Sequence, residues 1–384
     1  LRYALVEGYP GNLTADDIRG IVVGSDVPLT GTWASSNADL NQLFSNIQWS
    51  QRGNFLSVPT DCPQRDERLG WMGDAQIFAP TAAQDGDVAG FFQKWMTDVD
   101  DSQNAQGGFT SVSPSANQTQ SYAIWGDAGV IIPWVMYQST GDKKFLADNY
   151  PYMARWITDE YNQSNDLIIS GGVGDNLAPR VTPVGGARGG AGAPGGARAG
   201  TGATGGARGG AAAGGRGGAR GGFGGGFGAG TSVYDTAYYA NSILTLAKAA
   251  AVLGKTDDAA GYQKLYDAAV KSFDDAFIAQ DGTVTSDTQT GYVLALQFNL
   301  VPESERAAVE KKFLDNIDLY QHLTTGFVGT AWLCPALTKI GHSDTVWKLI
   351  FTDTFPSWLF EIHNGATTIW EHWDGWTPEA GFLG

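Results

Sequence analysis

Apolar side chains recur at helical spacing over much of the chain, most clearly between residues 239 and 277. One apolar stripe contains Tyr239, Ile243, Leu246, Ala250 and Leu253, and a second contains Tyr262, Tyr266, Ala269, Phe273 and Phe277. Intervals of three and four place each stripe on one face of an α-helix. Gly254 stands between the stripes and can end the first helix in the left-handed conformation. The stretch therefore predicts an αα-hairpin.

Similar periodicity predicts helix pairs at 76–98 with 123–140 and at 303–316 with 326–341. No alternation of strands and helices interrupts these pairs, which argues against a parallel α/β fold. A series of hairpins with apolar inner faces is typical of a toroid of helices. We therefore expect a mainly α fold whose helical domain covers residues 36–384, beginning near Ser35 at a capping sequence.

The N-terminal stretch has a different pattern. Residues 2–6 and 20–23 are β-branched runs between Gly and Pro turns, which predicts short strands. Two or three strands do not form a stable sheet alone. Residues 1–35 are therefore interpreted as the C-terminal strands of a preceding β-domain, a β-sandwich remnant.

Residues 185–230 differ from everything around them. They are mostly Gly and Ala, with five arginines and no acidic residue. Such a composition buries too little apolar surface to offset the entropy of ordering the chain. We expect a disordered low-complexity insert in a surface loop, which a fold tolerates at little thermodynamic cost. The alternative is an Arg-Gly segment that binds nucleic acid or another polyanion.

Composition narrows the partners and cofactors. The net charge is −16 and the pI is about 4.5, which argues against a phosphate-binding surface. No apolar run reaches the roughly 18 to 20 residues that span a bilayer. Two cysteines, Cys62 and Cys334, are too few for a disulfide framework, and no Cys/His spacing resembles a zinc site. We therefore expect a neutral ligand, without nucleic acid, membrane, metal or cofactor.

Charged residues concentrate in the stretch VPTDCPQRDERLGWMGDAQ, residues 58–76. It contains Asp61, Asp66, Glu67 and Asp74 together with Arg65, Arg68 and Trp71. One interpretation is a salt-bridged surface loop in which Asp74 lies at or near the N-cap of the next helix. The other is a site in which burial near Trp71 keeps one carboxyl protonated while Arg65 keeps another ionised. Glycosidic cleavage requires such a pair of carboxyl groups.

A second stretch, SWLFEIHNGATTIWEHWDGWTPEAG, interleaves tryptophans with acidic residues. Trp370 and Trp373 flank Glu371, and Glu361 precedes them. Aromatic rings and carboxylates suit sugar binding, but an aromatic core with exposed acids would have the same composition. Two Gly-rich connections also carry an acid, YAIWGDAG with Trp125 and Asp127, and GGVGDNLAP with Asp175 and Asn176. Helix capping is the simpler interpretation of both aspartates.

These motifs together resemble the α-L-rhamnosidases of glycoside hydrolase family 78, which belong to the six-hairpin glycosidases. The resemblance rests on GNFLSVPTDCPQRDERLGWMGDAQ, YAIWGDAG, TGYVLALQFNLVPE, HLTTGFVGTAWLCPAL and GATTIWEHWDGW. It covers the whole chain apart from the Gly-rich insert. It implies an (α/α)6 barrel flanked by β-sandwich domains, and inverting hydrolysis of terminal α-L-rhamnosides. The implied partner is a rhamnose-containing oligosaccharide, polysaccharide or glycoside.

The resemblance also implies roles for individual residues. Glu67 is similar to the general acid and Glu371 to the general base that activates water on the opposite face of the sugar. Inversion leaves room for that water, so we expect the two carboxyl groups roughly 6.5–9.5 Å apart. The predicted substrate-binding residues are Asp61, Arg65, Trp71, Asp74, Trp125, Asp175, Asn176, Trp370 and Trp373.

The sequence departs from the family pattern at two places. Asn176 stands where the family usually has a tryptophan, and the sequence ends at Gly384, before the family's histidine-bearing segment and closing β-sandwich. We therefore expect a barrel truncated at its end. Two alternatives stay open: an (α/α)6 glycosidase of different sugar specificity, and a carbohydrate-binding or inactive barrel. The oligomeric state and compartment are undetermined. The family resemblance favours a periplasmic or extracellular location, and the sequence as given contains no recognisable signal peptide.

Overall fold

The computed structural model describes residues 4–115, 120–184, 231–378 and 381–382, and helices dominate this part of the chain. The twelve α-helices found there are α1 Ala38–Asn54, α2 Met72–Asp85, α3 Ala89–Asp101, α4 Ala128–Thr140, α5 Lys143–Gln163, α6 Ser232–Val252, α7 Thr256–Phe277, α8 Gln289–Gln297, α9 Glu303–Tyr320, α10 Phe327–Lys339, α11 Ser343–Ile350 and α12 Trp358–His363. Two short antiparallel pairs join β1 Phe55–Leu56 to β2 Val58–Pro59 and β3 Trp376–Thr377 to β4 Gly381–Phe382. The predicted insert at 185–230 lies outside the described residues.

The helices form two layers around a ring. In the inner layer α2 packs against α4, α4 against α6, α6 against α8 and α8 against α10, and α10 returns to α2. In the outer layer α3, α5, α7, α9 and α11 each pack against an inner helix, and α1 packs against α12. The mainly α fold and the toroid of helices are therefore confirmed.

Burial distinguishes the two layers. Sixteen residues of the 21-residue inner helix α6 are buried, whereas the outer helix α7 buries only Tyr266, Ala269, Phe273 and Phe277. An inner helix is surrounded by protein on all sides, while an outer helix needs one apolar face. The predicted hairpin of α6 and α7 is confirmed, and Gly254 has φ of +73° between them.

Two predicted helix pairs change in detail. The segment 76–98 is not one helix, because α2 ends at Asp85 with Gly86 as its C-cap, and α3 begins at Ala89. A Cβ at Gly86 would lie 2.9 Å from Val27 Cγ1 and 3.0 Å from the Pro28 carbonyl oxygen. The helix is therefore interrupted where the N-terminal segment crosses it. The pairing of 303–316 with 326–341 was wrong, since α9 packs against α8 and α10 against α8 and α11.

The N-terminal segment forms no strand between residues 4 and 28. Ile21, Val22 and Val23 are 80, 71 and 66 % exposed, so the predicted strand at 20–23 is wrong for this chain. A strand needs the backbone groups of a neighbouring strand as partners, and in the described part of the chain residues 20–23 make no backbone hydrogen bond. Assignment of residues 1–35 to a preceding β-domain stays a prediction. Among the described helices, none has the length and apolar character to cross a membrane.

Candidate active site

The charged loop between β2 and α2 has a fixed shape. The Leu69 amide donates to Asp61 Oδ1 at 2.9 Å, and the Asp61 amide donates to the Leu69 carbonyl at 3.1 Å. These two bonds close the ends of the loop. A Cβ at Gly70 would lie 2.1 Å from the Ser113 carbonyl oxygen, so only glycine fits where the loop approaches its neighbour. The loop also carries the Arg65–Glu67 and Arg68–Asp66 ion pairs, so the interpretation as a salt-bridged surface loop agrees with these contacts.

Arg65 brings the two predicted catalytic carboxylates together. Its Nε donates to Glu67 Oε2 at 2.9 Å, and its guanidinium also binds both oxygens of Glu371, although 306 residues separate Arg65 from Glu371. The Trp71 indole donates to the other oxygen of Glu67 at 2.8 Å. One arginine thus joins the two stretches that the sequence analysis singled out, as planar guanidinium groups commonly do with carboxylates.

The distance between the two carboxylates differs from the prediction. Arg65 Nη2 lies 2.5 Å from Glu67 Oε2 and 3.0 Å from Glu371 Oε1, so these oxygens are at most 5.5 Å apart. That is closer than the roughly 6.5–9.5 Å expected for inversion. The expected separation was wrong for this unliganded chain, because a shared guanidinium draws both anions toward one nitrogen.

The carboxylates remain partly open to solvent. The side chains of Arg65, Glu67 and Glu371 are 40, 26 and 33 % exposed, whereas that of Asp61 is 7 % exposed. The bonded carboxylates, with Glu371 first, raise the pKa of Arg65. A small polar ligand can therefore reach the Arg65 cluster from solvent.

Asp61 and Asp74 lie on the same site. Burial raises the pKa of Asp61, and burial followed by the charges of Asp61, Glu371 and Glu67 raises the pKa of Asp74 to about 7. Asp74 is the third residue of α2, whose N-cap is Trp71, so it lies in the first turn near the N-cap, as the loop interpretation predicted, without being the N-cap residue itself. Arg65 carries one positive charge against four carboxyl groups, so the remaining negative charge needs protons or hydroxyl donors.

The predicted aromatic residues lie at different depths. Trp125 is 2 % exposed and packs against Gly73, the residue directly before Asp74. A Cβ at Gly73 would lie 2.6 Å from the Trp125 ring. Trp71 is 8 % exposed and contacts Glu67 as described. Trp373 donates from its indole to the Thr325 carbonyl at 3.2 Å, and Trp370 is partly buried beside Glu371. Of the four, Trp71 contacts Glu67 directly and Trp125 packs against the helix turn that carries Asp74.

Asp175 is used by the fold. Its Oδ1 accepts the amides of Val328 and Gly329, and its Oδ2 accepts the Gly326 amide and the Thr290 hydroxyl. A carboxylate has about four acceptor positions, and all four are engaged. The capping interpretation is confirmed, although the capped helix is the distant α10, and no acceptor is left for the predicted sugar-binding role.

Asn176 supports the same connection through its backbone. Its carbonyl accepts the Phe327 amide at 3.1 Å, at the start of α10. The carboxylate of Asp127, in contrast, accepts from Trp156, Ser242 and the Ile124 amide and so ties α4 to α5 and α6. Asp127 occupies the N-cap position without a side-chain capping bond, so its capping interpretation was wrong.

A comparison with protein families decides the relationship. The family model described as the bacterial α-L-rhamnosidase six-hairpin glycosidase domain matches residues 28–191 and 224–381. The chain belongs to this family. The six-hairpin topology agrees with the two-layered ring of helices.

Related proteins and structures carry the same name. An α-L-rhamnosidase of Streptomyces avermitilis is 39 % identical over 99 % of this chain and 33 % of its own length, and one of Formosa agariphila is 36 % identical over 99 % of this chain and 38 % of its own. The crystal structure of the Streptomyces avermitilis α-L-rhamnosidase complexed with L-rhamnose superposes with a TM-score of 0.83, covering 98 % of this chain and 32 % of that one. The chain thus spans about a third of the length of the curated relatives it matches.

The six-hairpin domain also has features that the sequence analysis missed. Ligand atoms of Asp61, Cys62 and Glu67 lie within 4.8 Å of one another, a grouping that could hold a metal ion. Burial raises the pKa of the Cys62 thiol to about 12, which disfavours the thiolate that binds metals. A cavity of about 450 Å³ lies elsewhere, between residues 25–28 and α3, and contains none of the predicted site residues. No motif or residue spacing in the sequence indicated either the Asp61–Cys62–Glu67 grouping or the cavity.

Proposed function

We propose that this chain is the catalytic barrel of a glycoside hydrolase that releases terminal α-L-rhamnose from rhamnosides with inversion. The observation that carries the proposal is the meeting of Glu67 and Glu371 on Arg65, from opposite ends of the chain. Relatives that match nearly the whole chain are named α-L-rhamnosidase, and a similar structure contains L-rhamnose. These similarities favour rhamnose over other sugars.

Glu67 acts as the general acid in this proposal. The indole of Trp71 and the guanidinium of Arg65 contact different oxygens of Glu67, which fixes the plane of the carboxyl group. An acid that protonates the leaving oxygen has to be held in one orientation toward it. One oxygen of Glu67 must also lose its donor in order to carry the proton.

Glu371 acts as the general base that activates water. In the free chain Glu371 is bound to Arg65. Its Oε1 lies at most 5.5 Å from Glu67 Oε2, because Arg65 Nη2 contacts both atoms. Inversion needs a gap that holds both the sugar carbon and a water, so the carboxyl groups must separate by at least about 1 Å. Sugar entry, with Asp61 and Asp74 accepting hydroxyl hydrogen bonds, releases Arg65 from Glu371 and opens that gap.

Leaving-group chemistry separates the two roles. Glu67→Gln should lose about 10³-fold in kcat on an alkyl α-L-rhamnoside and much less on a dinitrophenyl α-L-rhamnoside, whose leaving group needs no proton. Glu371→Gln should lose activity on both substrates, because both reactions need activated water. Glu303→Gln, an exposed glutamate at the start of α9, is the matched control and should behave like the unsubstituted protein.

The stereochemistry of the first product tests inversion directly. Proton NMR in the first minutes of hydrolysis should show β-L-rhamnose, and α-L-rhamnose as first product would refute the inverting assignment. Saturable L-rhamnose binding without turnover would instead support a carbohydrate-binding barrel. Turnover of a different glycoside alone would overturn the sugar assignment.

A further inference from the structure

The loop that carries Glu371 is attached to α1 and α12 by three hydrogen bonds that involve side chains, and the Ala366 amide also donates to the Glu361 carbonyl at 3.0 Å. Asn46 donates to the Ala366 carbonyl at 3.0 Å, and Ser50 accepts the Ile369 amide at 2.8 Å. The third bond runs from the Trp370 amide to Glu361 Oε2 at 3.2 Å. This bond matters most for Glu371, because Trp370 is the residue directly before it.

Glu361 is an unusual residue for this position. Its side chain is 2 % exposed on the six-residue helix α12, which packs against α1. A buried carboxylate normally has a cation or several donors as partners. In the described part of the chain the Glu361 side chain accepts from the Trp370 amide, at a distance longer than the 2.7–2.9 Å typical of charged acceptors.

The charged groups around Glu361 are engaged with other partners. On α1, Asp39 lies 3.2 Å from His363, and Arg52 lies over the ring of Trp49 at 5.0 Å. On the loop itself, Glu371 is bound to Arg65. Burial, opposed only by the Trp370 amide, raises the pKa of Glu361 to about 8. At neutral pH the group is therefore largely a neutral acid.

We propose that Glu361 is a positioning residue, whose neutral carboxyl group holds the Trp370 amide and so places Glu371 for catalysis. The proposal rests on the proposed role of Glu371 as base. Ionisation strengthens the hydrogen bond from the Trp370 amide, but it also leaves an anion in a buried position, and a buried anion gains free energy from hydration. Ionisation of Glu361 at alkaline pH therefore loosens the loop, and Glu371 loses its fixed place.

Two substitutions distinguish positioning from simple structural support. Glu361→Gln keeps an acceptor oxygen for Trp370 but cannot ionise, whereas Glu361→Leu removes the acceptor. The matched control is His363→Gln, which removes an exposed titratable group from the same helix. For each variant we would measure kcat and KM for an aryl α-L-rhamnoside from pH 5 to 10. Amide hydrogen exchange of residues 364–373 would be measured over the same pH range.

The unsubstituted chain should lose kcat, and lose amide protection in 364–373, as pH rises through about 8. Glu361→Gln should keep kcat at neutral pH within about threefold and retain activity and protection further into the alkaline range. Glu361→Leu should lose about 10- to 100-fold in kcat, with KM nearly unchanged, because Glu371 is displaced rather than the sugar contacts. His363→Gln should follow the unsubstituted chain.

The proposal is overturned if Glu361→Leu keeps both kcat and protected amides, or if Glu361→Gln leaves the alkaline loss of protection unchanged. Hydrogen exchange requires no turnover, so it tests the placement of the loop even in a chain without activity. The chain could hydrolyse no rhamnoside while the amides of residues 364–373 show the expected pattern of hydrogen exchange. That result would refute the proposed function but not the role of Glu361 in holding the loop.

Discussion

Replacing Asp175 by alanine tests whether this carboxylate caps α10 or binds the sugar. The substitution removes the acceptor of three backbone amides, those of Gly326, Val328 and Gly329, and of the Thr290 hydroxyl. All three amides belong to buried residues. A buried donor without a partner costs about 1–3 kcal/mol, and water that enters the partly buried Asp175 position can satisfy part of the set. We therefore expect the free energy of unfolding to fall by about 3–5 kcal/mol.

Asp175→Asn should have a smaller effect. The amide oxygen of the asparagine still accepts two hydrogen bonds, but its NH2 group faces donors and cannot accept from them. We therefore expect the free energy of unfolding to fall by about 2 kcal/mol. Urea denaturation followed by tryptophan fluorescence measures both variants. Asp344→Ala is the matched control, since Asp344 is an exposed aspartate in the first turn of α11. It should lose less than about 0.5 kcal/mol.

The two interpretations of Asp175 predict opposite results in the kinetics. A cap affects stability, so the fraction of Asp175→Asn that remains folded should hydrolyse an aryl α-L-rhamnoside with an unchanged KM. Unchanged stability together with a KM raised tenfold or more would refute the capping argument and restore Asp175 to the sugar site.

Three further predictions follow from the same structure. Burial raises the pKa of Asp235 from 3.8 to about 7. The folded chain therefore holds this proton more tightly than the unfolded chain. The contribution of Asp235 to the free energy of unfolding should fall by about 4 kcal/mol as pH rises from 4 to 7. Asp235→Asn should flatten that part of the pH dependence of urea midpoints. The affinity of the unsubstituted chain for L-rhamnose, measured by calorimetry, should rise by up to about tenfold as pH increases through 7, because an ionised Asp74 accepts hydroxyl hydrogen bonds more strongly. Asp74→Asn should abolish this rise. Gly73→Ala should displace the Trp125 ring and lower stability by about 1–3 kcal/mol in urea denaturation.

Local sequence patterns were sufficient for most of the helical architecture. The stripes of α6 and α7 and the turn at Gly254 depend on contacts within a few residues, and such contacts leave a periodic signal. The start of α1 had the same local basis, since the Asn37 side chain accepts the Leu40 amide. The break at Gly86 was missed because its cause is the crossing of Val27 and Pro28, which no local pattern encodes.

The candidate site was predictable only in part. The residues of the charged loop and of the Glu371 stretch could be named, because the motifs resemble a known family. Their geometry could not, since the separation of Glu67 and Glu371 depends on where Arg65 reaches across 306 positions. Glu361 gave no signal either, because its importance comes from burial beside a loop that the sequence does not place.

The sequence by itself determined the helices, their amphipathic faces and the family to which the chain belongs, because periodicity and motif composition are local properties. Only the tertiary structure decided which carboxylates meet, which one caps a distant helix and which stretch stays without strand partners. Asp175 shows the reason most clearly, since the amides it accepts lie 151 to 154 residues away. A carboxylate has the same chemistry everywhere in a sequence, and its role is set by the donors that folding places around it.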